Sequence, residues 1–138
     1  MKGYYKFCSS PISFRLIVLK RASKEEMNRY RIAFIKAMDY AYQIFGEKVF
    51  RMLGEDHNYG KINKPLFDAV AVDLAKLEKE ELGLLFQRKE MLLKQYEETL
   101  VNVEFAQIIS NGTAKIVDVR KRHEMISKLF EGIIKYSD

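Results

Sequence analysis

The chain has 138 residues, of which 48% are hydrophobic and 31% are charged. This length fits one globular domain and is too short for the usual two-domain enzyme. Two prolines, seven glycines and 12% aromatic residues exclude a collagen-like, linker-like or low-complexity chain. The single cysteine, Cys8, excludes an internal disulfide, and a structural zinc site is not expected with only His57 and His123 as further soft ligands.

The N-terminal segment bears on the location of the protein. Its longest uninterrupted apolar run, residues 16–19, has four residues and directly follows Arg15. A signal-peptide core or a bilayer-spanning helix needs a much longer run. We therefore expect a cytoplasmic protein that does not contact a membrane.

The net charge of +5 is concentrated near the N-terminus. Residues 1–36 hold nine Lys and Arg against two Glu, a local charge of +7. Residues 70–138 hold eleven Lys and Arg against twelve acidic residues, a local charge of −1. A basic segment can bind nucleic acid through counterion release, dock on an acidic partner, or serve as a solvated surface. The charge pattern alone leaves these three alternatives open.

The first part of the chain predicts a short arm followed by a helix. Residues 1–22 have no helical period and are rich in β-branched and aromatic residues at positions 12–19, which predicts an irregular or strand-like arm. Ser23 and Glu26 have the capping-box spacing, so a helix should begin there. The apolar face predicted for this helix consists of Met27, Tyr30, Phe34, Ala37, Met38, Ala41 and Phe45.

The middle of the chain predicts a connection and then a buried helix. Residues 47–53 are expected to add a short helical piece, and the polar residues 54–61 are expected to form a loop. Asn63 can cap the next helix, and Pro65 is tolerated in its first turn. Residues 66–77 are apolar almost all round, which predicts a central, buried helix.

Three further segments predict helices in the second half of the chain. Residues 82–100 show one apolar face and are expected to form one long segment that packs against the first helix. Residues 105–109 predict one or two more turns, which end near Gly112, where a left-handed C-cap fits, and Thr113, which can cap the last helix. That helix is expected to run from about residue 115 to near residue 136.

Together these patterns predict an all-α fold, a single-domain bundle of about five helices. Residues 1–22 form the irregular or strand-like N-terminal arm, and residues 23–138 form the helical bundle domain. The sequence shows no internal repeat and no further domain boundary.

A catalytic site has weak support in the sequence. Glu55, Asp56 and His57 could bind a cation or hold a general base, but solvated residues of these types are also expected in a glycine-flanked polar loop. His123 lies on the apolar stripe of the last helix, where a packed histidine is more common than a ligand. The phosphate-loop, dinucleotide, nucleophile-elbow and zinc-protease motifs are absent from the sequence. We expect no enzymatic activity, no cofactor and no bound metal, and an enzyme that uses the Glu55, Asp56 and His57 loop is the least favoured alternative.

Arg120, Lys121 and Arg122 form a basic run on the last predicted helix. Three successive helical positions fan out over about 200 degrees, so these side chains cannot all face one surface equally. At least one of them can contact phosphate, while a solvated helix face is the competing interpretation.

Three short segments of the sequence carry a resemblance to a known family. They are FIKAMDYAYQIFGEKVFR at residues 34–51, INKPLFDAVAVDLAKL at residues 62–77 and VEFAQIISNGT at residues 103–113. Together they resemble the C-terminal helical region of GmrSD-like prokaryotic restriction proteins, and the resemblance extends from about Tyr30 onward over about three quarters of the chain. The second motif has Asn63, Lys64, Leu66, Phe67 and Ala69 in the family's order, and Val119 and Arg122 are spaced as in a further element. Pro65, Val70, Ala114 and His123 depart from the family pattern.

The resemblance implies an accessory role in anti-phage restriction. Members of the family carry an N-terminal ParB-like NTPase domain and many carry an HNH nuclease domain, neither of which this sequence contains, so no catalytic residue carries over. An NTPase or nuclease subunit is therefore a candidate partner. The leading hypothesis is a non-catalytic accessory or interaction domain, and the alternative is an independent basic nucleic-acid-binding module. The oligomeric state is not predicted.

Five basic residues are candidate contacts to a partner protein or to the DNA backbone. Arg51, Lys64 and Arg122 are the polar members of the family-like motifs without an obvious core role. Arg120 and Lys121 complete the set because they belong to the basic run.

Overall fold

The structure is a computed structural model, and its described residues are 23–110 and 115–137. The elements in chain order are α1 (Lys24–Phe45), a 3-10 turn (Gly46–Lys48), β1 (Arg51–Leu53), β2 (Tyr59–Ile62), α2 (Lys64–Lys76), α3 (Lys79–Gln87), α4 (Lys89–Val101), α5 (Val103–Ser110) and α6 (Ile116–Ile134). The predicted all-α bundle is confirmed, with six helices and one small sheet in these residues. The arm at residues 1–22, the caps at Gly112 and Thr113 and the cysteine Cys8 lie outside the described residues.

α1 begins at the predicted capping box. Ser23 Oγ accepts a hydrogen bond from the Glu26 N–H at 3.2 Å, and the Glu26 carboxylate accepts one from the Ser23 N–H at 3.3 Å. Both bonds satisfy backbone donors that the first helical turn leaves without partners. This part of the prediction is confirmed.

The face that α1 buries matches the predicted one at Ala37, Ala41 and Phe45 and departs from it at Phe34. Its buried residues are Ala33, Ala37, Ala41, Ile44 and Phe45. The three alanines follow each other at four-residue steps, and side chains this small allow α1 to approach its main neighbour, α2, closely. Phe34, predicted on the core side, is half exposed because the alanine row takes the place against α2.

A β-hairpin follows α1. The helical piece predicted at residues 47–53 is limited to the 3-10 turn, and the loop predicted at residues 54–61 is limited to the turn at residues 54–58, because β1 and β2 take the remaining positions. β1 and β2 pair antiparallel, with Arg51 opposite Ile62 and Leu53 opposite Tyr59. Phe50 precedes β1 with φ 63°, a left-handed value that ends any helical course. Its ring packs edge-on against Phe67 of α2, with the ring centroids 4.6 Å apart, and this contact anchors the hairpin to the core.

α2 forms the centre of the bundle, as predicted, and contacts α1, α5 and α6. Asn63 caps it, because Asn63 Oδ1 accepts from the Leu66 N–H at 2.8 Å, and Pro65 lies in the first turn. The Asn63 side-chain amide also donates to the Ile109 carbonyl at the end of α5, at 3.0 Å. The Asn63 side chain therefore both caps the N-terminus of α2 and links α2 to α5 by a hydrogen bond.

The long helical segment predicted at residues 82–100 is two helices, α3 and α4, which meet at Arg88. The Arg88 guanidinium donates to the carbonyls of Ile133 and Ile134 at 2.7 and 2.9 Å. Those carbonyls belong to the last turn of α6, where a helix leaves its acceptors without partners. The break therefore brings a cation to the C-terminal end of α6, and α4 still packs against α1 as predicted.

Candidate interaction surfaces

Arg51, one of the five candidate basic residues, is engaged by the hairpin. Its Nε donates to the Glu47 carbonyl at 2.8 Å, and its Nη1 donates to the Gly60 carbonyl at 3.0 Å. The side chain thus links the 3-10 turn to β2. Arg51 is only half-buried, so part of its guanidinium stays accessible to solvent despite these two hydrogen bonds.

The basic run on α6 is divided among three environments, which confirms the predicted fan-out. Arg120 is exposed and makes no hydrogen bond or ion pair with another described residue. Lys121 pairs with Glu104 of α5, and this hydrogen bond raises the pKa of the Lys121 ammonium. Arg122 is only 2% exposed, so the expectation that it has no core role is wrong.

Arg122 is buried because α6 turns it toward α2. Burial lowers the pKa of the Arg122 guanidinium, and the nearby carboxylates of Asp68 and Asp118 act in the opposite direction. Asp68 lies on α2 and Asp118 on α6, so acidic groups from both helices stabilise the buried charge. A partner or a DNA backbone cannot reach this guanidinium in the present structure.

A second buried polar contact lies between the same two helices. Asp73 of α2 is 3% exposed, and its Oδ2 lies 3.6 Å from His123 Nδ1 of α6. The other oxygen, Oδ1, lies 3.4 Å from Lys76 Nζ. His123 is therefore a packed histidine, as its position on the apolar stripe predicted. At 3.6 Å the two facing atoms approach each other without forming a hydrogen bond.

The loop of Glu55, Asp56 and His57 forms the exposed tip of the hairpin. Asp56 accepts hydrogen bonds from the Asn58 side-chain amide at 2.9 Å and from the Asn58 N–H at 3.1 Å, and these bonds lower the pKa of Asp56. His57 has φ 60°, which the tight turn requires. Over the described residues, no three His, Cys, Asp or Glu side chains converge as metal ligands would. The polar residues of this loop build a turn.

A groove of about 590 Å³ lies between α4 and α6. Its lining residues are Met91, Lys94, Gln95, Glu98, Thr99, Asn102, Met125, Lys128 and Leu129. Several of the polar ones serve their own helices, since the Thr99 hydroxyl donates to the Gln95 carbonyl and Asn102 Oδ1 accepts from the Phe105 N–H. The groove is open and mostly polar, so it offers little apolar surface to a ligand.

Within the described part of the chain, an exposed apolar surface lies on the side of α1 that faces away from the core. We call it the outer face of α1 and define it by Ile32, Ile35 and Tyr42, whose exposed fractions are 58%, 49% and 64%. Arg31 and Asp39 lie on the same side of the helix and are exposed. The spacing of these three apolar residues is visible in the sequence, but only the stripe expected to face the core was predicted for this helix.

Comparison of the chain with protein-family models, with curated proteins and with solved structures gives no match. None of the helices within residues 23–110 and 115–137 has an apolar stretch long enough to cross a bilayer.

Proposed function

We propose that this protein is a non-catalytic, cytoplasmic interaction domain of an anti-phage restriction system and that it binds a protein through the outer face of α1. The observation that carries the proposal is the exposure of Ile32, Ile35 and Tyr42 on one side of a helix whose other side is packed. Covering apolar surface contributes about 25 cal/mol per Å² removed from water. Clustered exposed apolar side chains are typical of protein-contact sites.

The packing of the family-like motifs supports the proposed relationship to the C-terminal region of GmrSD-like proteins. Phe50 in the first motif contacts Phe67 in the second, and Asn63 in the second donates to Ile109 in the third. The three motifs thus build one structural unit, which is what a shared fold would preserve. Their role is to assemble the bundle that presents α1.

The placement of the basic candidates favours protein contact over nucleic-acid binding. Arg51, Lys121 and Arg122 are engaged by hydrogen bonds, an ion pair or burial. Lys64 and Arg120 are exposed and make no hydrogen bond or ion pair with another described residue. Two such cations contribute little to a phosphate-binding surface, where affinity grows with the number of phosphates neutralised.

The test is capture of proteins from the host lysate by the tagged full-length chain, before and after nuclease treatment, with identification by mass spectrometry. We expect a nuclease-resistant protein that Ile35→Asp no longer captures. Val117→Asp is the matched control, because Val117 is a more exposed apolar residue on a different helix, α6. Capture of an NTPase or nuclease subunit, or of the chain itself, would support the proposal. Recovery of nucleic acid alone would overturn it in favour of a nucleic-acid-binding module.

A further inference from the structure

Arg31 and Asp39 flank Ile35 on the outer face of α1, each four residues away. Both charged side chains are exposed, and neither makes an ion pair or hydrogen bond with another described residue. Residues four apart form a ridge along a helix, so Arg31, Ile35 and Asp39 belong to one ridge. Along this ridge the charge runs from positive through apolar to negative.

This order of charges is complementary to the same ridge of a second chain that runs in the opposite direction. When two such ridges pack side by side in opposite directions about Ile35, Arg31 of each chain lies beside Asp39 of the other. In a two-fold symmetric interface each contact occurs twice, so the arrangement forms two ion pairs between Arg31 and Asp39. A parallel arrangement would instead place Arg31 beside Arg31 and Asp39 beside Asp39. The charges therefore select the antiparallel pairing.

We infer that the outer face of α1 binds a second copy of this chain, antiparallel and centred on Ile35. The inference rests on the proposed function, because it names the protein that this face binds. Ile32, Ile35 and Tyr42 supply the apolar contact. Packing of four-residue ridges into the grooves between the ridges of a second helix is the commonest way for two helices to cross. The middle turns of the face, from Arg31 to Tyr42, carry one positive and one negative exposed charge, so they do not repel a second copy although the chain has a net charge of +5.

The size of the face sets the strength of the dimer. α1 has 22 residues and is about 33 Å long. Two helices that cross at about 50 degrees touch only through their middle turns. Such a contact is smaller than the roughly 800 Å² per partner of a standard stable interface. The dimer should therefore dissociate on dilution.

Analytical ultracentrifugation of the full chain over a wide concentration range tests the inference. We expect a monomer–dimer equilibrium that Ile35→Asp abolishes. Arg31→Asp and Asp39→Arg should each raise the dimer Kd by about tenfold or more, because each variant places like charges together. Mixing these two variants should restore association, since every charged contact across the mixed dimer is then between opposite charges. The double variant Arg31→Asp/Asp39→Arg should also dimerise.

Arg120→Asp is the control for the change in net charge, because Arg120 is exposed on α6, and it should dimerise like the wild type. Circular dichroism establishes that each variant is folded. A wild-type chain that stays monomeric at millimolar concentration would overturn the inference, and so would a mixture of the two charge variants that does not associate. If the wild type is monomeric but captures a host protein through Ile35, the inference fails and the proposed function stands.

Discussion

Asn63 is predicted to contribute more to stability than an ordinary helix cap. Its Oδ1 accepts from the Leu66 N–H, and its Nδ2 donates to the Ile109 carbonyl of α5. Loss of an N-cap costs about 1 kcal/mol, and loss of a side-chain hydrogen bond costs about 1 kcal/mol more. Asn63→Ala should therefore lower the free energy of unfolding by about 2 kcal/mol. Asn63→Ser, which keeps a capping oxygen but cannot reach Ile109, should cost about half as much.

Urea unfolding followed by circular dichroism measures these differences. Asn102 is the matched control, because its Oδ1 accepts from the Phe105 N–H at 3.0 Å and its side chain makes no second hydrogen bond with another described residue. Asn102→Ala should cost about 1 kcal/mol. If Asn63→Ala costs no more than Asn102→Ala, the bond from Asn63 to α5 contributes nothing and the reasoning is refuted.

Three further predictions concern side chains in or near the core. Arg88→Ala should lower the free energy of unfolding by about 2 kcal/mol, because two carbonyls of α6 lose a charged donor. Amide hydrogen exchange at the end of α6 should become faster, and an unchanged exchange rate would contradict this reasoning. Tyr96→Phe should leave the free energy of unfolding, measured in urea, unchanged or raise it by up to about 1 kcal/mol. The reason is that the buried Tyr96 hydroxyl has no hydrogen-bond partner among the described residues. A clear loss of stability would show that the hydroxyl does have a partner. Burial raises the pKa of Tyr59 and of Tyr96 above the ordinary 10.0, so the unfolded chain ionises first and the stability present below pH 10 should fall as the pH rises further. The Tyr59→Phe/Tyr96→Phe variant should show a flatter profile of Tm against pH between 9 and about 11.5.

The parts of the fold that local chemistry determines could be predicted from the sequence. Ser23 and Asn63 signal helix starts because a cap bonds to N–H groups three residues away. The hairpin could not be predicted, because strands of three and four residues are too short to show alternation. The break at Arg88 was also missed. The apolar spacing continues through that residue, whereas its hydrogen bonds reach α6, more than forty residues away in the chain.

The candidate site was harder to predict because burial is a tertiary property. Arg122 and Arg120 are both cations on one helix, and only the packing of α6 on α2 makes one buried and the other exposed. The same limit applies to Lys121, whose partner Glu104 lies on a different helix. The outer face of α1 is different, because the positions of Ile32, Ile35 and Tyr42 on one side of the helix follow from their spacing alone.

The distribution of small and large side chains on α1 argues that its outer face has a role beyond stability. The face packed against the bundle contains three alanines beside Ile44 and Phe45, while two isoleucines and a tyrosine face outward. Folding of the monomer gains little from large apolar side chains that remain half exposed, and polar residues would improve its solubility. Ile32→Lys should therefore leave the unfolding free energy of the dilute monomer within about 0.5 kcal/mol of the wild type. That result would support the proposed contact of this face with a second copy or with another protein, because it would show that the monomer does not require these residues.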